Sequence, residues 1–259
     1  MKNSWKYIVI PILLFACQSD VKPAKKMVQD PKYILSSYSN FWPYWYNEVK
    51  LSEDFIPYNE HDSIITKESF LKQVCTGNYL PVKYVQKDSL NSYKLYTIEN
   101  NKDSSIASTI VMFGKLAYQF FQMEGKPLPD FNFVDLNGNV YNPQTCKGKV
   151  VVLNFWFIGC TACRQEMPAL NKMVASYKDR KDVLFVSLAP DDPDSLKKFL
   201  EKNPFAYAII PRKNKYVIDT LNIRMFPTQM IIDRKGLVSK VPEDYKQMEI
   251  ELRNELVKK

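Results

Sequence analysis

Apolar and polar positions divide the chain into four stretches. Residues 1–16 carry Lys2 and Lys6 and then the apolar run IVIPILLFA, which ends at Cys17. That run of about ten residues is half of the roughly 20 a spanning helix requires, so it predicts a processed signal segment rather than a transmembrane anchor. Residues 17–32 are polar and lysine-bearing with no apolar period to bury, which predicts a flexible tether. Residues 33–123 mix patterns. FWPYWYNEV is dense in aromatics and interrupted by Pro43, and no element is assigned to it. Thr66 stands where it would cap a short helix with Phe70, Leu71 and Val74 on one face. NYLPVKYV and YKLYTI read as strands, and Ile106 to Met123 as an amphipathic helix closed by Gly125. Together they predict a small α+β domain.

The texture changes at Pro127 and Pro129, and over residues 128–259 strand-like and helix-like runs alternate. FNFV and VY flank an Asn137–Gly138 turn, a hairpin signal. KVVVLNFWF (Lys149–Phe157) is a continuous apolar run, as expected of a strand buried on both faces. Helical spacing follows at Met167, Leu170 and Val174. DVLFVSLA then predicts a strand, DSLKKFLEK a helix, YAIIP a strand and KYVIDTL a helix. TQMIID and LVSKV form a hairpin, and EDYKQMEIELRNELVKK a closing helix. This alternation predicts an α/β domain with a central sheet and helices on both faces.

Composition narrows the function classes. At 46% hydrophobic with only 7 glycines in 259 residues, most of the chain should pack into cores. The net charge of +8 is spread as scattered lysines, which suits solubility and argues against a nucleic-acid partner. No unit of roughly 20–50 residues repeats, which excludes solenoids and propellers. LFAC, with Leu14 and Ala16 before Cys17, resembles the lipobox of bacterial lipoproteins. The resemblance implies lipidation of Cys17 and membrane attachment by acyl chains, at about 0.8 kcal/mol per buried methylene. Gln18, in place of a retention aspartate, favours the outer membrane. The mature chain is thus expected in the cell envelope, where cysteine pairs can be oxidised.

GCTACRQEMP (Gly159–Pro168) holds the candidate chemistry. Two cysteines at this spacing can hold half a zinc site, form a clip or run redox chemistry. There is no second CxxC and the sole histidine is the distant His61, so no metal or cofactor is expected. A clip across three residues closes too short a loop to stabilise much. Redox chemistry fits the context, because the pair follows a buried strand and opens a helix. Free N–H groups and the helix macrodipole there favour a thiolate at Cys160. Cys163, one turn further in and less exposed, would resolve a mixed disulfide formed at Cys160.

NFWFIGCTACRQEMPAL resembles the active-site segment of thioredoxin-fold proteins, most of all the TlpA/ResA-type membrane-tethered thiol–disulfide oxidoreductases. Trp156, Glu166 and Pro168 stand at that family's positions. MFPTQMIID resembles its cis-proline segment, with Pro227 as the proline, and the 67-residue separation from Cys160 leaves room for the subfamily's extra βα unit. Over residues 128–259 the resemblance implies a thioredoxin-like fold with Cys160, Cys163 and Glu166 as catalytic residues. It also implies client contacts by Trp156, Phe226 and Pro227, with the Phe226 backbone pairing to an extended chain. Phe226 is bulkier than the threonine or glycine common there, and Pro168 is implied to kink the helix. Cytoplasmic thioredoxins carry a buried aspartate where Asn154 stands. Asparagine cannot exchange a proton, which leaves that task to Glu166, one turn after Cys163. Cys75 and Cys146 are expected as small buried hydrophobes, able to pair outside the cytoplasm.

The expected function is an envelope thiol–disulfide oxidoreductase acting as a reductase. Its partners would be client proteins with cysteines or disulfides, an envelope thiol donor or acceptor, and the membrane through Cys17. A thiol peroxidase of the same fold is the second reading, weakened because Phe157 stands where the peroxidase threonine would. A third has residues 33–123 act as the working part, binding a polysaccharide, a peptide or another envelope partner.

Overall fold

The computed structural model describes residues 26–85, 91–99 and 103–258. Cys17, the lipobox-like LFAC and the signal segment over 1–16 lie outside the described residues. Within them, no helix is long and apolar enough to cross a membrane.

The first unit is an α+β domain. Its elements are β1 (Lys26–Met27), α1 (Pro31–Ile34), α2 (Tyr38–Glu48), β2 (Phe55–Tyr58), α3 (Lys67–Val74), β3 (Tyr79–Val85), β4 (Asn91–Thr97) and α4 (Ser104–Met123). The strands form one sheet in the order β1-β3-β4-β2, with β2 parallel to β4 and the other pairs antiparallel. The tether expected over 17–32 is folded from Lys26 onward. Met27 pairs with Tyr84 at the sheet edge, and Asp30 caps α1 through the Lys32 N–H. The unassigned aromatic stretch is α2, started by the Ser37 side chain and carrying Pro43 inside it. Burial of Phe41, Tyr44 and Trp45 on one face holds that helix despite the missing N–H. Thr66 caps α3 by accepting from the Ser69 N–H. The buried hydroxyl of Tyr93 donates to the Glu48 carbonyl and accepts from the Lys50 N–H, at 2.7 and 2.9 Å.

α4 packs tightly against the end of α3 at Gly114. A Cβ there would lie 2.9 Å from Val74 Cγ1 and 3.2 Å from the Cys75 nitrogen. Val74 is fully buried and the backbone cannot yield, so overpacking outweighs the gain in helix propensity of about 1 kcal/mol. Gly114→Ala is therefore expected to lower stability by about 1–3 kcal/mol, measured by chemical denaturation. A variant as stable as wild type would show that the two helices can separate freely.

The second unit contains β5 (Phe133–Val134), β6 (Val140–Tyr141), α5 (Pro143–Cys146), β7 (Val150–Phe155), α6 (Thr161–Ser176), β8 (Val183–Leu188), α7 (Pro193–Leu200), β9 (Ala208–Ile210), β10 (Thr228–Ile232), β11 (Val238–Lys240) and α8 (Tyr245–Val257). Its sheet runs β11-β10-β7-β8-β9. β7, β8 and β9 are parallel, while β10 runs antiparallel to β7 and β11 to β10. This is the thioredoxin-like arrangement that the resemblance implies.

Every residue of β7 is buried, because alternate side chains enter two cores. Val150, Val152 and Trp156 join Met167 and Leu170 of α6, Leu196 of α7 and Met248 and Leu252 of α8. Val151, Leu153 and Phe155 face Phe133, Met230 and Val217, with Phe120 and Met123 of α4 packed alongside. The expected helix at KYVIDTL is a single π-helical turn, Tyr216–Thr220, on this second face.

The two units are joined by short polar contacts. The Gly125 N–H donates to the Val238 carbonyl at 2.8 Å, and Lys240 Nζ reaches Asp54 Oδ1 at 2.7 Å and Glu124 Oε2 at 3.1 Å. Ser52 Oγ lies 2.9 Å from Gln247 Oε1 of α8. These contacts set α2 and α4 of the first unit beside the end of the second unit that carries the cysteines.

Candidate active site

β7 delivers the chain to the cysteines. After Phe155 and Trp156 the backbone turns through Phe157–Gly159 and enters α6, with Cys160 as its N-cap. Cys160 and Cys163 form a disulfide, their Cα atoms 5.3 Å apart, and the Cys163 N–H points at Cys160 Sγ at 3.1 Å. The helix start thus directs a backbone donor at the first sulfur, where negative charge would develop on reduction. The preceding loop is pinned by Asp191, whose carboxylate accepts from the Ile158 N–H at 3.1 Å.

The cis Phe226–Pro227 bond immediately precedes β10. Thr228 pairs with Phe155, so Pro227 stands at the same end of the sheet as the cysteines. The Phe226 and Phe157 rings meet edge to face, with centroids 5.5 Å apart. Both phenylalanines, with Ile158, pack against the cluster that contains the disulfide. Cys160 is accordingly only 6% exposed and Cys163 3%. Cys163 is the less exposed of the two, in the order expected, and both cysteines are sheltered.

A row of polar groups crosses the sheet beneath α6. Gln229, Asn154 and Ser187 are register neighbours on β10, β7 and β8, and all are buried. Neighbours in register share a face, and Asn154 lies two residues from Trp156, so the row faces the core under the cysteine helix. Its ends are in use. Gln229 donates to Glu166 Oε2 at 3.0 Å, and Ser187 Oγ accepts from Trp156 Nε1 at 2.7 Å. Asn154 Oδ1 and the buried Tyr207 hydroxyl have no hydrogen-bond partner among the described residues. Unsatisfied buried polar atoms are rare; of three among the described residues, two lie here and the third, Ser92 Oγ, lies in the first unit.

Glu166 lies on the turn after Cys163, where i,i+3 spacing brings Cβ atoms within about 5–6 Å. Burial raises its pKa above the usual carboxylate range, Asp244 adds to the rise, and the Gln229 hydrogen bond opposes it. Burial also raises the Tyr207 phenol, and Glu166 adds to that. Pro168 lies within α6, where it leaves the Arg164 carbonyl without its intrahelical donor.

Trp156, expected to touch a client, is fully buried and cannot. The period-2 alternation that places Val150 and Val152 in the core carries Trp156 there too, against Phe199 and Phe205. Cys75 and Cys146 are unpaired thiols, half-buried rather than buried as expected. His61 lies at the surface beside Glu60. Sequence reading missed Gln229, Ser187, Tyr207 and Asp191. Gln229 and Ser187 interrupt apolar strand-like runs, a signal that gains meaning only with the strand register.

Residues 125–241 match the AhpC/TSA family. The chain is 34% identical over 120 residues to the thioredoxin-like protein YneN of Bacillus subtilis, a match covering 46% of this chain and 70% of that one. It is also 34% identical over 115 residues to the thiol-disulfide oxidoreductase ResA of Bacillus thuringiensis, covering 44% of this chain and 66% of the relative. The chain therefore spans about two thirds of the length of these relatives. Among solved structures it resembles the thioredoxin domain of a thiol-disulfide oxidoreductase from Bacteroides vulgatus, with 26% identity and a TM-score of 0.46 over 51% of this chain and 96% of that one.

Proposed function

Because the chain belongs to the thioredoxin-like thiol–disulfide oxidoreductases, we propose that it exchanges the Cys160–Cys163 pair with cysteines of envelope client proteins, and does so as a reductase. The observation that carries this reading is the disulfide at the start of α6, with Glu166 one turn beyond it. In the reduced protein the Cys160 thiolate attacks a client disulfide. A mixed disulfide forms and one client thiolate leaves, to be protonated. Cys163 then gives up its proton to the Glu166 carboxylate and attacks Cys160 Sγ. The second client thiolate leaves, and the Cys160–Cys163 bond closes. The client gains two electrons and two protons, and an envelope dithiol restores the protein by the reverse exchange. Phe226 and Pro227 border the incoming client, Trp156 supports the disulfide from below, and lipidated Cys17 holds the protein on the outer membrane.

Reduced protein is expected to accelerate insulin precipitation by cleaving its interchain disulfides. Preferential oxidation of a reduced client, with no insulin cleavage, would overturn the reductase direction.

Glu166→Gln separates a proton-transfer role from a structural one. The resolving step in the wild type should quicken with pH as the raised Glu166 ionises above the usual carboxylate range. The variant should lose that limb and resolve roughly a hundredfold more slowly, in single-turnover measurements on a preformed mixed disulfide. Stability should move the other way. A carboxyl whose folded pKa is raised contributes stability that is full below the unfolded value and lost as pH rises through the folded one. At neutral pH the glutamine variant should therefore be no less stable than wild type. Slow resolution with an unchanged pH limb would remove Glu166 from the proton path.

A further inference from the structure

Between the two units lies a cleft of about 300 Å³. Trp42, Trp45 and Phe113 of the first unit form one wall, and Glu166, Phe226 and Pro227 of the second form the other. The cleft thus shares residues with the redox site. α2 continues this aromatic surface beyond the cleft to Tyr38. Tyr38, Trp42 and Tyr46 follow at i, i+4 and i+8 along one helix face with ring centroids 6.3 and 6.0 Å apart; all three are exposed, and the last two also line the cleft. Met225, next to Phe226, is exposed as well.

The charged groups around the cleft already have protein partners. Lys67 donates to the Ser52 and Glu53 carbonyls, Lys240 holds Glu124, Lys50 lies 3.8 Å from Glu243, and Gln229 holds Glu166. What the cleft leaves for a ligand is chiefly aromatic surface. Its volume is at the low end of the roughly 300–1,000 Å³ that take up a ligand, enough for side chains of an extended segment.

We propose that this cleft and the α2 aromatic ladder bind the client polypeptide next to its reacting cysteine, selecting clients with an aromatic or large apolar residue there. The proposal rests on the redox reading above, because that chemistry fixes the occupant. A client joined to Cys160 in a mixed disulfide must run past Phe226 and Pro227. At about 3.3 Å per extended residue, its neighbouring side chains then reach the cleft. The first unit thereby acts as a specificity element for the second, and Phe226 extends the same apolar surface to the cis-proline edge.

The test uses the full reduced chain and three probes: a peptide disulfide with tryptophan beside the cysteine, the same peptide with glycine there, and hydroxyethyl disulfide. Wild type is expected to turn over the tryptophan peptide with a kcat/KM about tenfold above the glycine peptide, equivalent to about 1.4 kcal/mol. Trp42→Ala, and independently the more exposed Tyr46→Ala, should reduce that preference severalfold while leaving hydroxyethyl disulfide exchange unchanged, and Trp42→Phe should retain most of it. Equal turnover of both peptides by wild type, or a preference untouched by both alanine variants, would overturn the proposal while leaving the redox reading intact. Failure to exchange even hydroxyethyl disulfide would remove both. Oligosaccharide quenching of tryptophan fluorescence, lost in Trp42→Ala and without any peptide preference, would reassign the ladder to a glycan.

Discussion

Substituting Cys160 by serine is expected to reduce insulin cleavage to the uncatalysed rate, a loss on the order of a thousandfold or more. The first step needs a thiolate nucleophile. A hydroxyl at the same N-cap position is not appreciably ionised at neutral pH, however well the helix start favours negative charge. The fold should survive, because serine is an accepted N-cap and can take the Cys163 N–H bond that Cys160 Sγ now accepts. Full loss of activity with a near-native melting temperature is therefore the expected pair of results. Residual activity above about a tenth of wild type would mean that another thiol attacks. In that variant Cys163 is a free thiol and the first candidate, whereas burial raises the pKa of Cys146 and Cys75, which suits neither to that role.

Trp156→Ala is expected to lower the stability of the second unit by about 3–5 kcal/mol, the range for deleting a large buried aromatic. The indole is fully buried against Phe199 and Phe205, and its Nε1–H is bonded to the buried Ser187 hydroxyl at 2.7 Å. Removing it opens a cavity under α6 and strands the Ser187 hydroxyl at once. For a unit of this size the melting temperature should fall by roughly 10 °C or more. Trp156→Phe keeps most of the volume and loses only the hydrogen bond, so its cost should be about 1–2 kcal/mol. If the alanine variant melts like wild type and loses only client affinity, Trp156 contacts the client rather than holding the core.

The second unit was largely legible because its sequence patterns are strong. Val150–Phe155 matched a strand buried on both faces and the Asn137–Gly138 turn acted locally, as did the Thr66 cap and the Gly125 stop in the first unit. The cysteine pair, Glu166 and Pro227 were legible as a constellation. What failed did so for definable reasons. Pro43 masked α2, because the burial of Phe41, Tyr44 and Trp45 that holds the helix is a tertiary effect. β2 is four residues long and contains Pro57, which leaves little period to detect. The sequence neighbours of Trp156 point it to the client, whereas the alternation of its own strand sends it inward. The Gln229–Asn154–Ser187 row needed strand register, and the cleft between the units needed both folds at once.

The most direct measurement is the mass-mapped product of reduced Cys163→Ser with a disulfide-bonded client. With the resolving thiol removed, the exchange should stop at the mixed disulfide, and the client mass should be found on Cys160. Such an adduct, cleaved by dithiothreitol and missing from a Cys160→Ser/Cys163→Ser variant, is the predicted result. A client adduct on Cys75 or Cys146, or no adduct while Cys160 remains reduced, would contradict the assignment of Cys160 as the attacking sulfur.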